Sequence, residues 1–325
     1  MYCMYSVAVD CSPMDSDSFR ADDECAAVDS APVQLQLAPT ATSTADEERV
    51  AARNAFMQLL RAGVKQKIDE IQRGDAVSKN VAAWQTLSWR NANPLAPCFE
   101  ETICGRRLQV KQLRQGELTG FGTGLTVWPA ACVLLKHLEH RYSRARGDTL
   151  HGQLVVELGS GTGVVGIAAA MLGADRVVLT DVQKLLFLLE ANASIARDAA
   201  PGHVHIDVEA FDWADHPSDR LHHESGRNPD VILISDCILP KLYPLEPLVN
   251  AIDRLSGDHT IVLLSFEHRF SEKFDAKQRF WELLFAHNFD IHNIEDELYH
   301  PQYRADDIEI WEAKRRRSDA EDCTH

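Results

Sequence analysis

The stretch Leu154-Val155-Val156-Glu157-Leu158-Gly159-Ser160-Gly161-Thr162-Gly163-Val164-Val165-Gly166 decides the fold. An apolar run of strand length passes through a glycine-rich bend into a helical pattern that reaches Leu172. Glycine has no Cβ, so this bend lets backbone approach a ligand without side-chain clashes. A helix beginning near Val164 aims its first amides at the same point. The bend alone does not choose the ligand, because Gly161-x-Gly163-x-x-Gly166 also fits the dinucleotide fingerprint.

Downstream, apolar runs over residues 176–180, 203–208, 231–235 and 260–266 alternate with helical patterns. Strands rich in Val, Ile and Leu with helical crossovers predict a mostly parallel sheet covered on both faces. After Phe266 the order shifts to a helix over 276–287 and two β-like runs, 289–294 and 308–313, joined by a loop. These predict an antiparallel pair at the sheet edge, which separates this sheet from that of a dinucleotide dehydrogenase. Upstream, short alternating runs over 98–103 and 108–113, split by Gly105-Arg106, predict a β-hairpin. Val50, Met57, Leu60, Val64, Ile68 and Ile71 form the stripe of an amphipathic helix over 45–72, broken by Asn54. Residues 1–46 mix Asp, Ser, Ala, Pro and Thr without period and predict a disordered acidic tail.

Two acids choose between ligands. Glu157 stands directly before the glycines, where a carboxylate suits a positive sulfonium and an α-amino group and repels a pyrophosphate. Asp181 ends the next strand, Val177-Val178-Leu179-Thr180, where an acid accepts hydrogen bonds from both ribose hydroxyls. Dehydrogenases place an acid there too, so Asp181 supports a nucleoside. Glu157 favours S-adenosyl-L-methionine over NAD.

A chain of 325 residues with 45% hydrophobic and 25% charged residues buries one substantial core. Its net charge of −16 argues against a broad grip on DNA or RNA phosphates. Much of that charge lies near the start, where Asp10, Asp15, Asp17, Asp22, Asp23, Glu24, Asp29, Asp46, Glu47 and Glu48 face Arg20 alone, so the remainder is only mildly acidic. The eight cysteines have no C-x-x-C or metal-finger spacing and read as free thiols in a reducing compartment. The histidines show no ligand spacing, and no metal is expected. No apolar run approaches the roughly 18 residues that span a bilayer, and the start, interrupted by Asp10, does not resemble a secretory leader. The expectation is a protein of the cytoplasm or nucleus, away from membranes.

Beyond the glycine turn, Gly124-Leu125-Thr126-Val127-Trp128-Pro129-Ala130-Ala131, Leu179-Thr180-Asp181 and Phe211-Asp212-Trp213 complete a wider pattern. With Val155 to Gly163 it resembles the seven-strand methyltransferases of the protein-lysine type, methyltransferase family 16, over residues 98–314. The Val-Trp-x-Ala-Ala and Asp-Trp segments are the specific part of the likeness. The resemblance implies an α/β, Rossmann-like seven-strand sheet, mostly parallel with an antiparallel edge strand, preceded by the helix and hairpin. It also implies S-adenosyl-L-methionine as cofactor and a protein substrate carrying an acceptor lysine. Trp128 becomes a wall of the cofactor site, Glu157 and Gly159 contacts to the methionine end, Asp181 the ribose ligand and Trp213 an adenine contact. Gly161 and Gly163 belong to the same cofactor turn, and Asp212 is either a cofactor contact or a cap.

In that family the fourth strand ends in Asp-x-x-Tyr beside the methyl group. Here Ile234-Ser235-Asp236 keeps the acid, Leu239 stands where the tyrosine would, and the next tyrosine is Tyr243. Ligands of open α/β sheets sit outside the carboxyl ends of strands, which puts Asp236 in the pocket whatever the family. Asp236 is expected to hold the acceptor amine, with Trp128 and Tyr243 framing its channel. Glu267 and His268, at the next strand end, are candidates for the acceptor side. The implied division is an acidic tail over 1–46, a helix and connector over 47–97, a methyltransferase domain over 98–317 and a tail over 318–325. Competing readings are a small-molecule or RNA N-methyltransferase, a non-catalytic cofactor-binding adaptor and a nicotinamide-dependent oxidoreductase.

Overall fold

The computed structural model describes residue 89 and residues 96–113, 122–143, 149–200, 205–239, 243–269 and 275–316. The expected acidic tail, the amphipathic helix and the C-terminal tail lie outside the described residues. Strands β1 (Cys98–Ile103) and β2 (Arg106–Lys111) form the expected hairpin, its turn made by Cys104 and Gly105 at positive φ. Helix α1 (Pro129–Tyr142) follows, with proline in its first turn, where a missing N–H costs nothing. The alternation then runs β3 (Leu154–Leu158), α2 (Val164–Met171), β4 (Arg176–Asp181), α3 (Leu186–Ala199), β5 (Ile206–Ala210) and β6 (Val231–Ser235). It closes with α4 (Leu245–Leu255), β7 (Ile261–Glu267), α5 (Ala276–Ala286), β8 (Phe289–Asn293) and β9 (Ile308–Arg315).

The seven-stranded sheet has the order β5-β4-β3-β6-β7-β9-β8. Strands β3 to β7 are parallel, and β9 runs against both of its neighbours. The expected antiparallel pair is therefore present, with β9 tucked inside β8 because the chain passes the margin once and returns through the gap. Chain order reverses at β3: β4 and β5 lie to one side, β6 and β7 to the other. A crevice opens at such a reversal, beyond the carboxyl ends of the strands.

Both faces of the sheet are buried, which is why its strands read as continuous apolar runs. Val155, Val177, Leu233 and Leu263 pack under α1, α2, α3 and the hairpin, while Val156, Val178, Ile232 and Leu264 pack under α4 and α5. Polar groups tie the hairpin down. The buried Lys136 of α1 donates to the Thr102 carbonyl and to Glu139 at 2.8 Å, and lies 3.4 Å from Glu101. Asn192 of α3, fully buried, accepts from the Lys111 amide (2.7 Å) and donates to the carbonyls of Lys111 (3.1 Å) and Thr162 (2.9 Å).

Candidate active site

The glycine turn hangs from the ends of β3 and β4 by hydroxyl bonds. Ser160 Oγ donates to the Glu157 carbonyl (3.1 Å) and accepts from the Thr180 amide (3.0 Å), while Thr180 Oγ1 donates to that same carbonyl at 2.6 Å. Gly159, Gly161 and Gly163 have φ of 65°, 55° and 79°, the left-handed region that other residues enter only with strain. At Gly161 a Cβ would meet the Gly124 carbonyl oxygen at 2.8 Å, and at Gly159 it would meet Cys237 Sγ at 2.9 Å and Trp213 at 3.0 Å. Backbone passes over backbone here, and Gly124 and Gly161 are both glycine for that reason.

Asp181 is half-buried, and both its oxygens meet this turn: Oδ2 accepts from the Gly161 amide (2.8 Å) and Oδ1 from the Val182 amide (2.7 Å). Burial pushes its carboxyl up to about 6 against those bonds. Glu157 lies deeper than the sequence suggests. Only 2% exposed, it turns beneath the bend, and its Oε2 accepts from the Gly166 amide in the first turn of α2 at 3.0 Å. Burial raises it to about 8, and neighbouring Asp181 adds to the rise. Two acids enclosed at one strand crossing, with burial outweighing the bonds they accept, suit a cationic ligand and penalise a diphosphate. The donor set therefore fits a sulfonium nucleoside.

The walls come from more distant parts of the chain. Trp128, half-buried at the cap of α1, donates Nε1–H to the Thr123 carbonyl at 2.9 Å. Thr123 Oγ1 lies 2.7 Å from the hydroxyl of Tyr243, whose ring meets Trp213 edge-on with centroids 5.9 Å apart. Burial raises the Tyr243 phenol to about 12, so at neutral pH it stays protonated and can donate. Thr123 thus joins Trp128 to Tyr243, and Tyr243 meets Trp213, whose ring lies beside Gly159. Asp212 is exposed, and its Oδ1 accepts from the Ala214 amide at 3.0 Å.

Asp236 stands at the end of β6 with a left-handed φ of 56°. Its carboxylate is buried and forked by Arg269, Nη1 to Oδ1 at 2.7 Å and Nη2 to Oδ2 at 2.6 Å. Arg269 also reaches Glu267 Oε2 at 3.1 Å and lies over the Trp128 ring at 5.8 Å. His268 turns outward to Glu309 at 2.7 Å, apart from this cluster. The sequence alone assigns no individual role to Arg269, Thr123, Gly124 or Asn192. The Gly124 in the Gly-Leu-Thr-Val-Trp segment was the available signal, since a glycine just before a wall residue marks close backbone approach.

The reversed sheet and the glycine turn at its carboxyl edge define a Rossmann-like α/β domain with a nucleoside-binding crevice. Residues 107–286 match the family model described as lysine methyltransferase, and the chain belongs to that family. The match starts within β2 and stops with α5, so the β8–β9 margin lies outside it. The chain is 34% identical over 172 residues to the protein-lysine methyltransferase METTL21E of Mus musculus, covering 53% of this chain and 65% of that protein. It is 33% identical over 201 residues to the protein N-lysine methyltransferase METTL21A of Danio rerio, covering 59% and 84%. A third relative is the EEF1A lysine methyltransferase 3 of Mus musculus, 31% identical over 173 residues, covering 53% and 65%. The chain thus spans just under two thirds of the length of either mouse protein.

Proposed function

We propose that this chain transfers a methyl group from S-adenosylmethionine to a lysine side chain of a protein substrate. The enclosed acids at the glycine turn, Glu157 and Asp181, carry the reading, within a family of lysine methyltransferases. When bound, the cofactor supplies a methyl group activated on a sulfonium, which an amine displaces in line. Asp181 takes the ribose hydroxyls, and Gly159, Gly161 and Gly163 let the backbone pass close to the methionine end. Glu157, its carboxyl raised to about 8 beneath the turn, takes up its charge as a cation docks above it. Trp128, Trp213 and Tyr243 wall the crevice and keep bulk water from the reacting atoms. Asp236 faces the acceptor amine, which must shed a proton from a reference pKa of about 10.4 before it can attack. Leu239 leaves the Asp-x-x-Tyr pattern incomplete, and Tyr243 supplies a tyrosine hydroxyl at the crevice by a longer route.

The methyltransferase domain spans 98–317, and the enzyme works on protein in the cytoplasm or nucleus rather than on DNA or a bilayer. Among the described residues no helix is long and apolar enough to cross a membrane. The test is tritiated methyl transfer by the purified chain into an extract of cells lacking it, followed by acid hydrolysis. Label in methyl-lysine is the expected outcome; label in nucleic acid or in metabolites sinks the acceptor assignment. Calorimetric uptake of NAD in place of S-adenosylmethionine sinks the cofactor.

A further inference from the structure

The acid that ends β6 already has a cation. Asp236 gives both oxygens to Arg269, and the guanidinium is held from three more directions by Glu267 Oε2, the Glu267 carbonyl at 3.3 Å and the Trp128 ring. A planar fork on a carboxylate, with only 14% of the arginine side chain exposed, is a fixed arrangement. The groups around it are Asp236 after β6, Glu267 at the end of β7, Asp307 ahead of β9 and the indole of α1's cap. His268 is drawn off by Glu309, and burial together with the neighbouring acids Asp181, Asp236 and Glu157 keeps the Cys237 thiol protonated. The crevice around the acceptor is therefore acidic, and Arg269 is the cation set into it. An acidic surround alone would hold an incoming amine as its ammonium, which has no lone pair to attack with.

We propose that Arg269 is a positioning residue that tunes the acceptor: by cancelling the Asp236 charge it keeps a bound amine in its neutral, nucleophilic form. The proposal rests on the reading that the acceptor is an amine beside Asp236. A fixed positive charge a few ångströms away lowers the amine's proton affinity, and removing it has the opposite effect. Rate and binding should then separate, since an ammonium binds the acids more tightly and transfers less.

The experiment measures methyl-lysine formation from pH 6 to pH 10 by the full chain, with the extract of cells lacking it as acceptor. Arg269→Gln should move the acid limb of the rate profile upward by about one pH unit. It should also lower the half-saturating extract concentration and recover wild-type rates at high pH. Arg269→Lys, which keeps the charge, should hold the wild-type limb. A uniform loss at every pH in Arg269→Gln, or a limb in Arg269→Lys shifted as far as in Arg269→Gln, overturns the proposal. If Arg269→Gln does not fold, Glu267→Gln reads the same field with the opposite sign, and a limb that fails to move downward overturns it equally. Wild-type chain that labels no lysine at any pH removes the underlying reading instead, and is told apart by that control.

Discussion

The two sides of the crevice are held together on different terms. The cofactor side is bonded between neighbours in the chain, Gly161 to Asp181 and Ser160 to Thr180, each pair 20 residues apart across one strand crossing. Its precision lives in backbone angles and amides. The proposed acceptor side is gathered from afar: Thr123 meets Tyr243 across 120 residues, and Asp236 meets Arg269 across 33. Its precision lives in side-chain charge. A turn can serve many acceptors while the charge around them is rewritten, so damage to the two sides should look different in the laboratory.

The sharpest separation comes from Asp236→Ala. It strands a buried guanidinium and should abolish methyl transfer and cost about 3–5 kcal/mol of stability, yet leave affinity for S-adenosylhomocysteine within a few-fold. Thermal denaturation and calorimetry read the two; a large loss of cofactor affinity would erase the distinction between the sides. Gly161→Ala should do the reverse. With φ of 55° and a backbone oxygen 2.8 Å from the new Cβ, cofactor affinity should fall roughly hundredfold. Gly105→Ala, at φ 74° in open space, bears backbone strain alone and should leave that affinity unchanged. Asp181→Asn should weaken cofactor uptake by about 2 kcal/mol, roughly thirtyfold, with the same acceptor profile at saturating cofactor.

A pH dependence sharpens the comparison further. The Asp181 and Glu157 carboxyls are raised to about 6 and about 8, above their ordinary values, so each contributes stability that is complete in acid and lost as pH rises through its own value. A cation in the crevice favours their charged forms. Affinity for S-adenosylmethionine should rise roughly tenfold between pH 6 and pH 8, with protons released on binding. Calorimetry in buffers of different ionisation enthalpy measures this, and proton uptake would contradict it. The smallest change is Tyr243→Phe, which removes one hydroxyl contact to Thr123 and should cost about 1 kcal/mol.

The same divide explains what the sequence disclosed. Strands β3, β4, β6 and β7 were legible because both faces are buried and their polar residues fall at or near the strand ends, and the glycine turn because few other residues tolerate its angles. Helix α1 was not read as a helix. Its stripe is obscured by Lys136 and His137, which sit in the interior, the lysine bonded to the hairpin and the histidine through Nδ1 to the Leu298 carbonyl. The depth of Glu157 was hidden too, since a strand residue before a glycine turn gives no sign of whether it faces the crevice or the helix beneath. Ion pairing between Asp236 and Arg269 leaves no local periodicity at all. Only the folded chain supplies it.

Asn192 has a practical corollary for anyone trimming this protein. One carboxamide fastens the hairpin's last residue to the Thr162 carbonyl inside the glycine turn, so a fragment begun at β3 would keep every cofactor residue between the turn and Trp213 and still lose its anchor. A fragment meant to keep that anchor has to start before β1. The hairpin is then less an ornament on the domain than the splint that keeps its loading dock square.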